Sequence, residues 1–207
     1  MGTIKNIIFD LGGVLLNIDY EKTATAFRAI GYHNFSEMYS QFTADELFQK
    51  LETGKIDKDD FYQRLAAAHP DPIPKERLTT AWNSMLLDWR EESLAFLEKL
   101  SLDYRIYLLS NTNAIHMDAF HKSLRAQCGK ETIDALFTKA YYSHRIHFRK
   151  PDEGVFEFVA KDAGLLREET LFIDDSENNI ATALSMGFKT HLLLPGEKIE
   201  ELDYTAF

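Results

Sequence analysis

Asp10 is the first residue of the chain whose type and position suggest chemistry. It stands in the octet Ile-Ile-Phe-Asp-Leu-Gly-Gly-Val, residues 7–14, where an apolar run meets a glycine-rich turn. A carboxylate held in such a turn can act as a nucleophile. Aspartate is also a common turn residue after a strand, and Gly12 and Gly13 can serve backbone geometry alone, so the octet by itself leaves both interpretations open.

Three further polar groups stand where predicted strands end: Ser110 to Asn113, Lys150-Pro151 and Asp174-Asp175. Each has a purely structural alternative. The first could cap the following helix, Lys150 could be a solvated turn residue, and the aspartates could complement a helix N-terminus. Because parallel strands end along one rim, where ligands bind, we expect these three groups and Asp10 to converge.

The predicted secondary structure places these groups on a parallel sheet. Short apolar segments typical of strands buried on both faces alternate with helical patterns, two of which Gly164 and Gly187 terminate. Strands are predicted at residues 4–9, 105–109, 139–143, 170–173 and 190–194. Helices are predicted at residues 92–100, 114–124, 152–163 and 178–186. This alternation indicates an α/β fold with a doubly wound, Rossmann-like parallel sheet.

The segment between the first two strands breaks this alternation. It contains helical patterns and no convincing strand, with helices predicted at residues 21–30, 44–51, 58–68 and 75–87. We predict a helical cap domain, residues 19–90, inserted into a core domain formed by residues 1–18 and 91–207. The segment is rich in large aromatic residues, which fit the core of a helical bundle better than a substrate pocket. They are Phe27, Tyr32, Phe35, Tyr39, Phe42, Phe48, Phe61, Tyr62 and Trp82.

Composition and charge argue against several classes of function. A net charge of −10 over 207 residues would repel a nucleic-acid backbone. No apolar run approaches the roughly 20 residues of a membrane span, and no signal peptide precedes the first strand. The only cysteine, Cys128, has no partner for an internal disulfide and fits a small packing residue. We therefore expect a cytoplasmic protein that binds neither nucleic acid nor membrane.

The four polar groups, in this order, resemble the motifs of the haloacid dehalogenase-like hydrolase superfamily. The matching residues are Asp10-Leu11-Gly12-Gly13-Val14, Ser110-Asn111-Thr112, Lys150-Pro151 and Asp174-Asp175. The helical insertion is similar to the cap of the subgroup that contains sugar phosphatases. Within the insertion, the sequence pattern usual for this cap is resembled by Thr53-Gly54-Lys55-Ile56 together with Phe61. The chain most resembles the α-glucose-1-phosphate phosphatase-like proteins of bacteria.

The resemblance implies roles in phosphoryl transfer for three of these groups. Asp10 would attack phosphorus and form an aspartyl-phosphate, which water then releases. Lys150 would act as a point charge on the phosphate and on Asp10. The Ser110 hydroxyl and the backbone N–H groups around Asn111 and Leu11 would donate hydrogen bonds to the phosphate.

The resemblance also implies a Mg²⁺ site. A carboxylate and a phosphate repel each other unless a cation lies between them, and clustered carboxylate oxygens suit this hard ion. Asp10, Asp175 and the nearby Asp174 would hold the metal together with the backbone carbonyl of Gly12. Asn178 and Asn179 would support the metal-bound waters from a greater distance.

One position departs from the pattern of the superfamily. Most of its phosphatases carry a second aspartate two residues after the nucleophile, which protonates the leaving oxygen and later activates water, but this chain has Gly12. Such assistance is typically worth about 10² to 10⁴ in rate. Asp19, His116, His144 and His147 are candidate substitutes, and the sequence assigns the role to none of them.

The predicted function is that of a Mg²⁺-dependent phosphomonoesterase acting on a small phosphorylated metabolite such as a sugar phosphate. One alternative is a 2-haloacid dehalogenase-type hydrolase, which needs no metal and also lacks the second aspartate. The paired aspartates disfavour it, because they would repel a carboxylate substrate. The other alternative is a catalytically weak phosphate-sensing or partner-binding protein, which Gly12 favours. The oligomeric state stays open.

Overall fold

The computed structural model describes residues 3–39 and 44–207 of the chain. Its central sheet is parallel throughout and has the strand order β5-β4-β1-β6-β7. The strands of this sheet are β1 (Asn6–Phe9), β4 (Arg105–Ser110), β5 (Lys139–Tyr142), β6 (Thr170–Asp174) and β7 (Lys189–Leu192). The first and last residue of each strand lie within two residues of the predicted bounds.

Alternation along β1 shows why the sheet needs cover on both faces. Ile7 and Phe9 are fully buried in one hydrophobic cluster, whereas Ile8, between them, is fully buried in another. Successive side chains of a strand point to opposite faces, so a strand with apolar side chains on both faces must be covered on both. The predicted doubly wound α/β sheet is confirmed.

Helices supply this cover. Leu97 and Phe120 pack in the first cluster, and Phe156 and Ala183 in the second. Gly164 ends its helix in the left-handed conformation, at φ 61°, as predicted. The helices around the sheet are α6 (Glu91–Leu100), α7 (Ala114–Cys128), α8 (Ser143–Ile146), α9 (Glu153–Ala163) and α10 (Glu177–Ser185), with 3₁₀ turns at Asp134–Leu136, Arg167–Glu169, Ile199–Glu201 and Tyr204–Ala206.

The segment between β1 and α6 has a hydrophobic cluster of its own. Its helices are α1 (Tyr20–Ala29), α2 (Phe35–Met38), α3 (Glu46–Glu52), α4 (Lys58–Ala67) and α5 (Lys75–Asn83). The Trp82 ring lies at the centre of this cluster. Its centroid is within 6.4 Å of the ring centroids of Phe35, Tyr39, Phe48 and Phe61. All the aromatic residues predicted for this core are buried in the cluster, except Phe42, which lies outside the described residues. None of the helices in the described ranges is long and apolar enough to cross a membrane.

Two short strands in this region were not predicted. Residues Leu86–Trp89 form β3, which pairs antiparallel with β2, Leu16–Ile18. The prediction of no strand within residues 20–90 was therefore wrong, and the helix predicted at residues 75–87 ends at Asn83. The two partners are about 70 residues apart in the sequence, and strands this short show no clear local period. The ribbon forms where the chain leaves the sheet and returns to it.

Candidate active site

The polar groups predicted to converge meet at one cavity beyond the carboxyl ends of β1, β4 and β6. The described residues enclose a cavity of about 190 Å³. Parallel strands with helices on both faces generate such a crevice, which explains its position. Among the residues that line it are Asp10, Gly12, Ser110, Asn111, Lys150, Asp175, Asn178 and Asn179.

Lys150 is the centre of the polar network. Its side chain is 1% exposed, and its Nζ donates to Asp10 Oδ1 at 2.7 Å and to Asp174 Oδ2 at 2.5 Å. Burial works against the ammonium, but the charges of the two carboxylates outweigh it and raise the pKa of Lys150. The lysine is therefore a fixed positive charge beside Asp10.

Asn111 holds the backbone of Lys150 in place. Its Nδ2 donates to the Lys150 carbonyl at 2.8 Å, and the Lys150 N–H donates to its Oδ1 at 2.9 Å. The Asn111 side chain thus positions the lysine, whereas the contact with substrate was predicted for the backbone N–H groups around this residue and stays a prediction. The capping alternative applies to Asn113, which accepts from the N–H groups of Ile115 and His116.

The two consecutive aspartates have different surroundings. Asp174 is fully buried and is not among the cavity-lining residues. It accepts from Lys150, from the Ser176 N–H at 2.8 Å and from Asn179 Nδ2 at 3.0 and 3.1 Å. Asp175 lines the cavity. Through its two hydrogen bonds, Asn179 orients the carboxylate of Asp174 directly.

The donor set fits Mg²⁺. Asp10, Asp174 and Asp175 each place one carboxylate oxygen within 4.8 Å of the others. The pKa of Asp10 is raised to about 7 and that of Asp175 to about 6, because burial and the neighbouring carboxylates outweigh the lowering effect of Lys150. Three clustered carboxylates around one lysine carry a net negative charge, which suits a small hard dication.

Gly13 allows this close approach. At φ +72° it has a backbone conformation that favours glycine, and a Cβ built on it would lie 2.2 Å from Asp175 Oδ2. Any side chain at residue 13 would therefore displace the carboxylate. Gly13 is therefore needed for two reasons, the backbone conformation of the turn and the space that the Asp175 carboxylate occupies.

Mg²⁺ is expected to stabilise the fold, and more strongly at pH 8 than at pH 5. Asp10 and Asp175 have pKa values of about 7 and 6, above the ordinary 3.8. Their contribution to folding is therefore present below pH 4 and lost as pH rises through 6 to 7. Mg²⁺ binds the ionised carboxylates, so it stabilises the fold at pH 8, where both groups are ionised. The free energy of unfolding should rise by about 2.7 kcal/mol when the Mg²⁺ concentration is 100 times Kd.

Thermal unfolding with Mg²⁺ and with a chelator, at both pH values, measures this effect. The matched variant is Asp175→Asn, in which the stabilisation by Mg²⁺ should largely disappear. Equal stabilisation at the two pH values, or in the variant, would contradict a metal site made of these carboxylates.

Among the four candidate acid–base residues, His116 alone lines the cavity. Asp19 accepts from Glu21 N–H at the start of α1, and the Nδ1 atoms of His144 and His147 lie against the backbone oxygens of Thr112 and Thr53.

Burial lowers the pKa of His116 to about 3, so its ring is uncharged at neutral pH. Its Nδ1 lies 2.9 Å from Asn83 Oδ1. A neutral imidazole of this kind is a poor proton donor to a leaving oxygen.

The structure explains how the turn accommodates Gly12. A Cβ at this position would lie 2.8 Å from Ile18 Cδ1. The side chain of Ile18 on β2 therefore occupies the space into which the second aspartate of related phosphatases would extend.

Four polar residues of the cavity were missed in the sequence analysis. They are Tyr20, Tyr39, Glu52 and Arg149. Tyr39 was assigned only to the hydrophobic core, and Arg149 was given no role. The signal that could have revealed Arg149 is its position directly before Lys150.

Comparison with known proteins identifies the family. The sequence pattern of the haloacid dehalogenase-like hydrolases matches residues 4–187, which include every motif of the cavity. The chain is a haloacid dehalogenase-like hydrolase. The resemblance found in the motifs is confirmed.

Similar proteins of this hydrolase family include named phosphatases. A D-ribitol-5-phosphate phosphatase of Bacteroides thetaiotaomicron is 33% identical over 187 residues, which cover 90% of each chain. A sesquiterpene phosphatase, astK, of Aspergillus oryzae is 27% identical and covers 89% of this chain and 87% of its own. Among solved structures, the wild-type enzyme bt-2542 of B. thetaiotaomicron, in complex with magnesium and inorganic phosphate, has a TM-score of 0.85 and 36% identity over 95% of this chain and 97% of its own.

These relatives bear out the predicted enzyme class of the hydrolase. Both curated relatives are phosphatases, and the solved structure contains magnesium and phosphate. The prediction of a phosphatase of this superfamily that uses Mg²⁺ is confirmed. The two phosphatases act on chemically different alcohols, so the substrate of this hydrolase has to be argued from its own cavity.

Proposed function

We propose that this hydrolase is a cytoplasmic, Mg²⁺-dependent phosphomonoesterase that acts on a small phosphorylated sugar or sugar alcohol. The observation that carries the proposal is the contact of buried Lys150 with both Asp10 and Asp174, beside a third carboxylate at the same cavity. A cavity of about 190 Å³ is below the roughly 300 to 1,000 Å³ of pockets for drug-sized ligands, which supports a small substrate.

In the proposed reaction Asp10 is the nucleophile. One of its oxygens, Oδ1, accepts from Lys150, which leaves the other oxygen to attack phosphorus. The phosphorus–oxygen bond to the alcohol breaks, and the alcohol departs with the electron pair and takes a proton. When bound, Mg²⁺ offsets the repulsion between the carboxylate and the phosphate. Lys150 holds Asp10 in place and adds positive charge beside the phosphate.

Hydrolysis of the aspartyl-phosphate completes the reaction. Water attacks phosphorus and releases one proton to the solvent, which balances the proton that the departing alcohol took from it. Asp10 leaves as a carboxylate that Lys150 stabilises. The Ser110 hydroxyl, at the end of β4, lines the cavity and is suited to donate a hydrogen bond to phosphate oxygens in both steps. In-line attack and charge stabilisation supply most of the catalysis of phosphoryl transfer.

We assign residues 19–90 to a cap that excludes bulk water from the reaction. The cap carries its own aromatic cluster and contributes Tyr20, Tyr39 and Glu52 to the cavity. Its Thr53-Gly54 turn contacts the sheet domain, where the Thr53 carbonyl lies 2.8 Å from His147 Nδ1. Exclusion of water strengthens the electrostatic interactions at the reacting phosphate.

A screen of phosphorylated metabolites, with and without Mg²⁺, tests the proposed function. We expect release of phosphate from sugar or sugar-alcohol monophosphates only with Mg²⁺. Metal-independent release of halide from 2-haloacids would favour the dehalogenase alternative. Binding of phosphate with no turnover of any monoester would favour a phosphate-sensing protein.

Gly12 is expected to make the reaction sensitive to the leaving group. Without an acid at this position, kcat should fall steeply as the leaving alcohol becomes more basic. Gly12→Asp combined with Ile18→Val, which removes the Cδ1 atom in the way, should flatten this slope and raise kcat on basic alcohols by about 10² or more.

A series of aryl and alkyl phosphates measures the slope, and Ile18→Val alone is the matched control. Equal slopes in the double variant and the control would refute this account of Gly12.

A further inference from the structure

An ion pair between a buried glutamate and a partly exposed arginine lines the cavity on the side of the cap. Glu52, the last residue of α3, is 3% exposed. Arg149 donates to its Oε2 from Nε and from one terminal nitrogen, both at 3.0 Å, and the Tyr39 hydroxyl donates to its Oε1 at 2.8 Å. These three residues are called the Glu52 cluster below.

The Glu52 cluster joins the two parts of the molecule at a defined place. Tyr39 and Glu52 belong to the segment with the helical cluster, whereas Arg149 directly precedes Lys150. The turn after Glu52 packs closely on the sheet domain, because a Cβ at Gly54 would lie 2.1 Å from the His144 carbonyl oxygen. All three members of the cluster line the same cavity as Asp10 and Lys150.

Stability gives little reason for a charged pair in this position. Removing the Glu52 carboxylate from water is expensive, and a pair whose arginine is 25% exposed gains little in return. Well-packed apolar residues in such a place are often as stable or more stable. Apolar side chains, including those of Met85 and Leu86, also line this cavity. A recognition role accounts for the pair where a contribution to stability does not.

The chemistry of the Glu52 cluster suits hydroxyl groups. The pair is neutral as a whole, so it offers no net positive charge to a second phosphate or a carboxylate. Its contacts use two of the three guanidinium nitrogens of Arg149, and the carboxylate and phenol oxygens retain lone pairs for further hydrogen bonds. The cluster can thus both donate to and accept from a hydroxyl group.

We propose that the Glu52 cluster binds hydroxyl groups of the leaving alcohol and selects uncharged, polyhydroxylated alcohols over apolar ones. This inference rests on the proposed phosphomonoesterase function and names the part of the cavity that determines its substrate class. A polar site left without its hydroxyl partner rejects an apolar analogue strongly, because buried polar groups then stay unpaired. The cluster acts on specificity and takes no part in the chemistry at phosphorus.

The experiment compares two substrates across four proteins. Ribitol 5-phosphate is the polyol probe and phenyl phosphate the apolar one, and kcat/KM is measured for both with Mg²⁺. The proteins are the unaltered enzyme, Glu52→Gln, Tyr39→Phe and, as a matched control, Glu46→Gln on the same helix. Glu46 pairs with Lys50 and its side chain is 82% exposed.

Glu52→Gln is expected to lower the ratio of kcat/KM for the polyol probe to that for phenyl phosphate by about ten-fold or more. The loss should be mainly in KM for the polyol. Tyr39→Phe removes one hydroxyl without leaving a charge unpaired, so it should lower the ratio in the same direction even if Glu52→Gln folds poorly. Glu46→Gln should leave the ratio unchanged.

Three outcomes overturn the inference, and they are distinguishable from one another. Equal losses of kcat/KM on both probes in Glu52→Gln and Tyr39→Phe would mean that the cluster only fastens the cap to the sheet domain. If the unaltered enzyme releases phosphate with Mg²⁺ from phenyl phosphate but from no sugar or sugar-alcohol monophosphate, the inference fails. If it releases phosphate from no monoester at all, the proposed function itself fails and the inference fails with it.

Discussion

Replacing Asp10 with asparagine is expected to lower kcat by about 10⁴ to 10⁶, because it removes the proposed oxygen nucleophile. The amide oxygen of asparagine can still accept from Lys150, so the fold should be retained. Phosphate release with Mg²⁺ measures the effect, and unchanged circular dichroism verifies that the variant is folded.

The control for this variant is Asp103→Asn, an exposed position. It should match the unaltered enzyme in kcat. A stronger test is capture of the covalent intermediate, since hydroxylamine should release phosphate from the denatured unaltered enzyme after brief turnover and not from Asp10→Asn. Turnover by Asp10→Asn at the parent rate would refute catalysis through this carboxylate.

Replacing Lys150 with methionine is expected to reduce both stability and activity. Removing one partner of a buried charge network lowers the free energy of unfolding by about 3–5 kcal/mol, because Asp10 and Asp174 would remain as close carboxylates without a counter-charge. Loss of a positive charge beside the phosphate should lower kcat by at least about 10².

Urea unfolding in metal-free buffer measures the loss of stability, with Lys139→Met as the matched control. Lys139 pairs with Asp162 at 2.6 Å, but its side chain is 52% exposed, so the control should lose less than about 1 kcal/mol. The deficit of Lys150→Met should shrink at pH 5, where the remaining carboxyls take up protons. Equal stability of the two variants at pH 8 would contradict the network.

Much of the fold was predictable because it follows from local patterns. The three central strands, β1, β4 and β6, are mostly apolar and must be covered on both faces, and the helical segments between the strands supply this cover. The ribbon of β2 and β3 was missed for the opposite reason. Leu16 pairs with Trp89, which lies about 70 positions later in the sequence. Neither short segment has a pattern that specifies its partner.

The division of roles within the motifs was less predictable than their convergence. Asp174 and Asp175 are adjacent and identical in type, yet the first is fully buried in hydrogen bonds and the second lines the cavity. The sequence pointed only to the backbone N–H groups around Asn111 as phosphate donors, and it did not reveal that the Asn111 side chain holds the backbone of Lys150. Burial and hydrogen-bond partners distinguish such neighbours, and both depend on how strands and loops pack.

Residue order and periodicity alone led to the parallel sheet, the helical insertion and the four polar groups at one rim, since strand direction determines where each strand ends. The surroundings of those groups depended on tertiary packing. Glu52 and Arg149 are 97 residues apart, and Ile18 reaches the space above Gly12 from a strand that local patterns did not reveal. Contacts between distant segments arise from burial and side-chain orientation, which no local pattern encodes.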